Sequence, residues 1–345
     1  MHRWRSAGCV CGWTKAESSL QVVALSCIIL LLSVTNLCTA LSVNVNGMRM
    51  SVPRPTALVT GSTDGIGVTT AKNLATKGYN VLVHGRSEKR IQAACERIRE
   101  FAKDHSSDAG MVFSLAAQDI STVKGCEALV KSVVEKCQQE DLTLSVLMNN
   151  AGVYQEQLEL TEDGLEMTFA VNVLAPFVIT SHLLPTLLQQ KSRIVIASSI
   201  SQCSSIRDWD DLHYSNRSFS AHGSYSESKL LDAMLTMEFA DRFSNAGIGV
   251  DRITCNCLDP GTVNTKMLLA GWGPCGIEVE DALDETWLCS SKDVDSVTGR
   301  YFVWKSDRSA SRDAYDKKQR ERMWQELSDL APEAASMWNK LESYI

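Results

Sequence analysis

The stretch TALVTGSTDGIG, residues 56–67, decides the fold of this 345-residue chain. Its first five residues are apolar or β-branched, which is typical of a buried strand, and three glycines follow before the amphipathic run VTTAKNLATKG. Glycines at a strand-to-helix turn let the backbone approach a pyrophosphate, which binds at the helix N-terminus. The stretch therefore predicts the first strand, turn and helix of a dinucleotide-binding fold.

The same alternation of strand and helix continues along the chain. Six further strands are predicted from the runs YNVLVHG, MVFSLAAQDI, LSVLMNNAG, RIVIASSI, GVDRITCNCLDPG and TGRYFVW, with helical stretches between them. Strands that alternate with helices of this length pair in parallel, and right-handed crossovers place helices on both faces. We therefore predict a single α/β domain, doubly wound and Rossmann-like, with a mostly parallel seven-stranded sheet.

Composition and charge exclude some classes of function. The chain is 44% hydrophobic and 22% charged, as in ordinary globular proteins, and its formal net charge of −7 argues against a nucleic-acid partner. Four of the twelve cysteines lie in the first 40 residues and the other eight are scattered, and Cys255 and Cys257 form a C-x-C that no second pair at zinc spacing accompanies. We expect reduced thiols and no metal site.

The N-terminal region differs from the rest of the chain. Residues 20–40 carry no charge and end in Cys38-Thr39-Ala40, so residues 1–40 read as either a signal peptide cleaved near Ala40 or a membrane anchor. Residues 41–55 contain no acid and read as a linker or a transit-type segment. The catalytic domain is expected over residues 56–308, and a helical extension over residues 309–345.

Several short motifs follow the predicted strands in a fixed order. They are Asn149-Asn150-Ala151-Gly152, then Asn172, Ser198-Ser199, Tyr225-x-x-x-Lys229 and Pro260-Gly261-Thr262-Val263-Asn264-Thr265. Together with the TGxxxGIG turn, this set resembles the short-chain dehydrogenase/reductase family over residues 56 to about 305. The long insert between Ser199 and Tyr225 resembles the family's retinol-dehydrogenase-like, lipophilic-carbonyl branch.

The resemblance implies a catalytic group made of Asn172, Ser199, Tyr225 and Lys229. Tyr225 would act as general acid or base, because the nearby Lys229 ammonium and the nicotinamide ring favour the phenolate. Ser199, chosen over Ser198, would hold the substrate oxygen, and Asn172 would position a water that links Lys229 to solvent. Lys229 would also hydrogen-bond the nicotinamide ribose.

The resemblance also implies a nicotinamide cofactor site. Its expected members are Gly61, Ser62, Thr63, Asp64, Gly65, Ile66, Gly67, Arg86, Asp119, Ile120, Asn150, Ala151, Gly152, Tyr225, Lys229, Pro260, Gly261, Val263 and Thr265. An acid that binds the ribose 2′-hydroxyl is expected at the end of the second strand of an NAD site, but Gly85 stands there and Arg86 follows. A guanidinium suits a 2′-phosphate, so NADP(H) is favoured over NAD(H).

The sequence says less about the substrate than about the cofactor. The insert carries Trp209, Tyr214 and Phe219, which would form either a substrate wall or buried anchors of a surface loop. An apolar run from Met267 to Trp272 favours a lipophilic substrate, or packs against a partner subunit in a homo-oligomer. We therefore expect an NAD(P)H-dependent oxidoreductase that interconverts a carbonyl and an alcohol on a retinoid-, steroid- or quinone-like molecule. The rival is a catalytically silent NADP(H)-binding regulatory or scaffold protein.

Two locations fit the N-terminal region. The first is membrane association through residues 20–40, on the endomembrane system. The second is cleavage near Ala40, followed by the secretory pathway or import into an organelle such as a complex plastid.

Overall fold

The computed structural model describes residues 53–271 and 273–344, so the predicted signal or anchor segment lies outside the described residues. The strands are β1 Pro55–Val59, β2 Asn80–Val83, β3 Val112–Ser114, β4 Thr143–Asn149, β5 Ser192–Ala197, β6 Ile253–Asp259, β7 Arg300–Val303 and β8 Ser306–Arg308. They form one sheet in the order β3-β2-β1-β4-β5-β6-β7-β8. The predicted α/β class and the mostly parallel sheet are confirmed, with β8 as an eighth, antiparallel edge strand beyond the seven predicted.

Helices cover both faces of this sheet. They are α1 Gly65–Thr76, α2 Glu88–His105, α3 Val123–Gln139, α4 Met167–Leu187, α5 Ala221–Asn245, α6 Lys266–Gly271, α7 Asp284–Ser290, α8 Lys317–Leu330 and α9 Pro332–Trp338. Successive residues of a strand point to opposite faces, so Leu58 joins the core under α3, α4 and α5 while Ala57 and Val59 join the core under α1, α2 and α7. This double burial explains why the strands read as continuous apolar runs.

The order of the strands positions the site. The chain runs outward from β1 to β3, then returns across the sheet to place β4 on the other side of β1. In open parallel sheets the crevice for a ligand lies outside the carboxyl ends of the strands at such a reversal. The glycine turn after β1 and the Asn149-Asn150-Ala151-Gly152 turn after β4 meet at that edge.

Helix α4 is the one described helix long and apolar enough to cross a membrane by length and composition. Nearly all of it is buried between the sheet and the neighbouring helices, as in the core helix of a globular domain. Its middle, Ala170–Leu174, is a π-helical turn, which the sequence did not predict. Such turns recur at functional sites.

The C-terminal extension packs on the same core. In α8 and α9, Trp324 and Trp338 contact Phe177 of α4 and Phe239 of α5, and the Trp338 ring stacks 4.6 Å from that of Phe239. The buried Arg320 pairs with Glu238 at 3.3 Å and with Asp241 at 2.5 Å. These contacts make residues 317–338 a cover for the α4 and α5 face.

The insert before α5 is held by side-chain hydrogen bonds to α8 and to Glu227 of α5. The Trp209 indole donates to Gln319 of α8 at 2.8 Å, and the Tyr214 hydroxyl donates to the buried Glu227 at 3.3 Å. Arg217 makes two hydrogen bonds to the same Glu227 carboxylate, at 2.7 and 3.0 Å. The insert aromatics therefore act as structural anchors, which was one of the two predicted alternatives.

Candidate active site

Two turns interlock at the carboxyl edge of the sheet. The Thr60 hydroxyl accepts hydrogen bonds from the backbone N–H groups of Asn150 and Ala151, both at 3.0 Å, and the Asn150 amide donates to the Thr60 carbonyl at 2.7 Å. A Cβ on Gly67 would lie 2.4 Å from the Asn150 side-chain nitrogen, so only glycine fits there. Gly61 adopts a φ of +68°, which L side chains rarely do. The turns thus form a close-packed backbone cradle at the start of α1.

Charged side chains surround this cradle. Asp64 caps α1 by accepting from the Gly65 N–H at 3.0 Å, and it pairs with Lys266 at 2.6 Å and Arg90 at 3.1 Å. The Lys266 hydrogen bond is the largest of the effects that lower the pKa of Asp64. Arg86 projects beside them with most of its side chain exposed, 4.0 Å from Asp119. Three basic side chains, Arg86, Arg90 and Lys266, therefore surround the start of α1, where phosphates would bind.

His84 fixes the position of the glycine turn. Its Nδ1 accepts from the Gly61 N–H at 3.2 Å, and its Nε2 lies 3.2 Å from the Gln118 carbonyl, to which it donates. Burial lowers the pKa of this histidine to about 4, so the imidazole is neutral, as an accepting Nδ1 requires. His84 belongs to no sequence motif, so its contact with the glycine turn is not predicted from the sequence.

A cavity of about 490 Å³ opens between these turns, α5 and α6. Most of the predicted site residues line it, namely Gly61, Thr63, Asp64, Gly65, Ile66, Gly67, Arg86, Asp119, Ile120, Asn150, Ala151, Gly152, Tyr225, Lys229, Pro260 and Thr265. Five predicted residues do not line it: Ser62, Asn172, Ser199, Gly261 and Val263. The glycine cradle, the helix N-terminus and the basic side chains fit a nicotinamide dinucleotide.

The two serines after β5 do different things. The Ser198 hydroxyl donates to the Lys229 carbonyl at 2.7 Å and accepts from Gln202 at 3.2 Å, which ties β5 to α5. The Ser199 hydroxyl accepts from the Ser201 N–H at 3.1 Å and lowers the pKa of Tyr225 through a hydrogen bond to the phenol. Ser199, the predicted member of the pair, is therefore the one in contact with the candidate acid or base.

Tyr225 and Lys229 lie one turn apart on α5, as their spacing predicts. The Lys229 Nζ is 5.5 Å from the centre of the Tyr225 ring. Burial raises the pKa of Tyr225, while the Lys229 charge and the Ser199 hydrogen bond lower it. Lys229 thus lowers the pKa of Tyr225, as predicted, but burial raises that pKa by more.

Asn172 lies in the π-helical turn of α4. Its Oδ1 accepts from the Val153 N–H at 2.8 Å, and its Nδ2 donates to the Val153 carbonyl at 3.1 Å and to the Ser228 hydroxyl at 3.0 Å. These bonds join the turn after β4 to α5 and use both amide hydrogens. One lone pair of Oδ1 remains for the water of the predicted relay.

Two buried carboxyl groups near Lys229 had no predicted role. Asp232 is fully buried and accepts from the Lys229 Nζ at 2.8 Å. Glu285 lines the cavity and accepts from Thr70 at 2.8 Å, and burial raises its pKa to about 7. The available signal for Asp232 was an acid inside the otherwise apolar run LLDAML.

Known proteins match this arrangement in sequence and in fold. The family profile described as short chain dehydrogenase matches residues 55–270. Human retinol dehydrogenase 14 is 33% identical over 72% of this chain and 77% of its own length. Human polyprenol dehydrogenase is 28% identical over 81% of this chain and 86% of its own.

A solved structure of a Shigella flexneri short chain dehydrogenase complexed with NADP has a TM-score of 0.54. It is 24% identical and covers 73% of this chain and 97% of its own, so it supports the fold alone. The profile match spans more than half of the sequence. The chain belongs to the short chain dehydrogenase family of oxidoreductases.

Proposed function

We propose that this protein is an NADP(H)-dependent oxidoreductase that interconverts a carbonyl and an alcohol on a lipophilic small molecule. The observation that carries the proposal is that Tyr225, which is hydrogen-bonded to Ser199, and Lys229 line the same cavity as the glycine cradle. The curated relatives named retinol dehydrogenase and polyprenol dehydrogenase support a lipophilic substrate.

The roles follow from the contacts. When bound, the nicotinamide cofactor supplies or accepts the hydride. Tyr225 donates a proton to the carbonyl oxygen in reduction and removes it from the alcohol in oxidation. Ser199 orients the phenol and the substrate oxygen, and Lys229 supplies the positive charge that favours phenolate. Asn172 holds α5 against the turn after β4 and positions the relay water.

Cofactor preference is proposed to rest on Arg86. Its guanidinium lies at the cavity wall and stays mostly exposed, so it is available to a 2′-phosphate. Gly85 offers no carboxylate to a ribose 2′-hydroxyl, and a Cβ there would approach Thr63 to 2.6 Å. These features favour NADP(H).

Exposed apolar side chains beside the site support a lipophilic substrate. Asp259, at the end of β6, accepts from the N–H groups of Ile200 and Gly261 at 3.1 and 3.2 Å. The Trp304 ring lies 3.3 Å from where a Gly261 Cβ would stand. Ile200 is 63% exposed and Trp304 60% exposed, and both follow strands at the catalytic edge. We name this pair the apolar rim.

The experiment is cofactor oxidation by the purified protein against retinoid, steroid, quinone and short aldehyde carbonyls. We expect turnover with NADPH and a lipophilic carbonyl. NADPH binding without turnover on any member of such a panel would favour the silent regulatory protein instead.

Location is part of the same proposal. Membrane attachment through residues 20–40 would bring a lipophilic substrate and the apolar rim to one place, on the endomembrane system. The alternative is cleavage near Ala40 and delivery to an organelle or the secretory pathway.

A further inference from the structure

Asp232 is an ionisable side chain in a place where charge is costly: burial raises its pKa to about 7, and the Lys229 ammonium opposes that rise. It lies in the middle of α5, is fully buried, and stands among Leu230, Leu231 and Ala233 in the core. Its Oδ2 accepts from the Lys229 Nζ at 2.8 Å, while its Oδ1 has no partner among the described residues. A buried polar atom without a partner requires an explanation in a folded protein.

The partner of Asp232 is the lysine of the candidate catalytic group. Lys229 is also buried, and its Nζ donates to the Ala197 carbonyl at 2.7 Å as well as to Asp232. The two acceptors fix the end of a side chain that otherwise has four rotatable bonds. Asp232 raises the pKa of Lys229 and so keeps the ammonium protonated despite its burial.

The same carboxylate also acts on Tyr225. The Lys229 charge lowers the pKa of the phenol, and the Asp232 charge raises it. The other groups that face this set are Asp259 and Cys257 from β6 and Glu285 from α7. Asp259 also raises the pKa of Tyr225, whereas the Cys257 thiol is neutral because burial raises its pKa to about 12.

We propose that Asp232 is a positioning residue of the reaction: it holds the Lys229 ammonium at the end of β5 and offsets part of the positive charge that reaches Tyr225. This inference rests on the proposed function, because it needs Tyr225 as the acid or base. A carboxylate so placed balances two demands. It keeps a buried lysine charged, and it leaves the phenol protonated until a cofactor adds its own charge.

The test is the pH profile of alcohol oxidation, which needs the phenolate and therefore rises through the pKa of Tyr225. Asp232→Asn keeps the shape and one acceptor but removes the charge. We expect the acidic limb of kcat/KM to move down by about one pH unit, because a negative charge near the phenol is lost. The alkaline limb should move down as well, because Lys229 loses the partner that holds its proton.

A matched control is Asp241→Asn, which makes the same chemical change on α5 about 13 Å further along the helix. Its pH profile should equal that of the wild type. An Asp232→Asn enzyme with reduced kcat and unmoved limbs would make Asp232 merely structural and overturn the inference. If that variant does not fold, Asp232→Ser serves, since the smaller side chain leaves room for water beside the ammonium.

The Tyr225→Phe variant distinguishes a failure of the positioning role of Asp232 from a failure of the proposed function. If Tyr225→Phe is inactive and Asp232→Asn leaves both limbs in place, the positioning role alone is wrong. If Tyr225→Phe retains turnover, the proposed function itself is wrong.

Discussion

Arg86 is the residue on which the proposed cofactor preference depends. Replacing it with alanine removes one charge-assisted contact to a 2′-phosphate, and we expect NADPH affinity to fall by roughly 10- to 150-fold, the equivalent of about 1.5–3 kcal/mol. NADH affinity should barely change. Both constants can be measured by titration of the free protein. Lys89→Ala removes an equal charge from an exposed neighbour and should affect neither cofactor. Equal losses for both cofactors in Arg86→Ala would mean that Arg86 is structural.

At this scale the sequence predicts residues whose spacing is itself a signal. Tyr225 and Lys229 lie on one helix, so their separation alone places them together. His84 and Asp232 act through contacts that form only after folding, with Gly61 and with the Lys229 Nζ. A histidine at a strand end and one acid in an apolar run look like ordinary core residues. The sequence therefore predicts on which elements they lie but not which groups they contact.

The turn between β7 and β8 is the element that most departs from local preference. Trp304 and Lys305 both have positive φ, 50° and 58°, in a two-residue connection where Asn-Gly is favoured. A positive φ costs about 1–2 kcal/mol for each residue that has a side chain. The turn holds the Trp304 ring exposed and close to Gly261. Strain of this kind recurs at ligand sites.

Trp304→Asn tests whether that strain serves the apolar rim. Asparagine tolerates positive φ, so we expect the thermal midpoint to stay constant or rise. The kcat/KM for a long apolar carbonyl should fall about tenfold, from the loss of apolar contact area, and that for a short aldehyde should not. Met111→Asn, at an exposed methionine before β3, is the matched control. An equal effect on both substrates would remove Trp304 from the substrate path.

Strand β8 and the π-helical turn of α4 are among the elements that the sequence did not predict, for physical reasons. Strand β8 is three exposed polar residues, Ser306–Arg308, so it carries no hydrophobic pattern and exists through its pairing with β7. The π-helical turn in α4 depends on the bonds of Asn172 to Val153 and Ser228, which come from other parts of the chain. Neither cause is local in sequence.

For the whole molecule, the α/β class and the parallel order of the main strands were predictable because both faces are buried. Double burial produces apolar runs that alternate with amphipathic helices, and few topologies fit that pattern. The helical extension expected over residues 309–345 contains α8 and α9, and Met323, Leu327 and Trp338 of these helices are buried in the core with residues of α4 and α5.

The N-terminal region sets where the molecule works. If residues 20–40 are a retained anchor, native protein should keep its intact mass and stay in the membrane pellet after a carbonate wash. That stretch is about the length needed to cross a bilayer. A mature start at Leu41 or later, with soluble protein, would contradict the anchor and support cleavage near Ala40.

The central claim is that Tyr225 transfers the proton, and one measurement addresses it most directly. NADPH oxidation with a lipophilic carbonyl is compared between the wild type and Tyr225→Phe, with NADPH affinity measured on the same samples. The variant loses the transferable proton and keeps the ring. The account predicts a rate lower by about 100-fold or more with cofactor affinity unchanged. A variant that binds NADPH and keeps more than about a tenth of the wild-type rate would contradict it, since general acid catalysis is worth more than that.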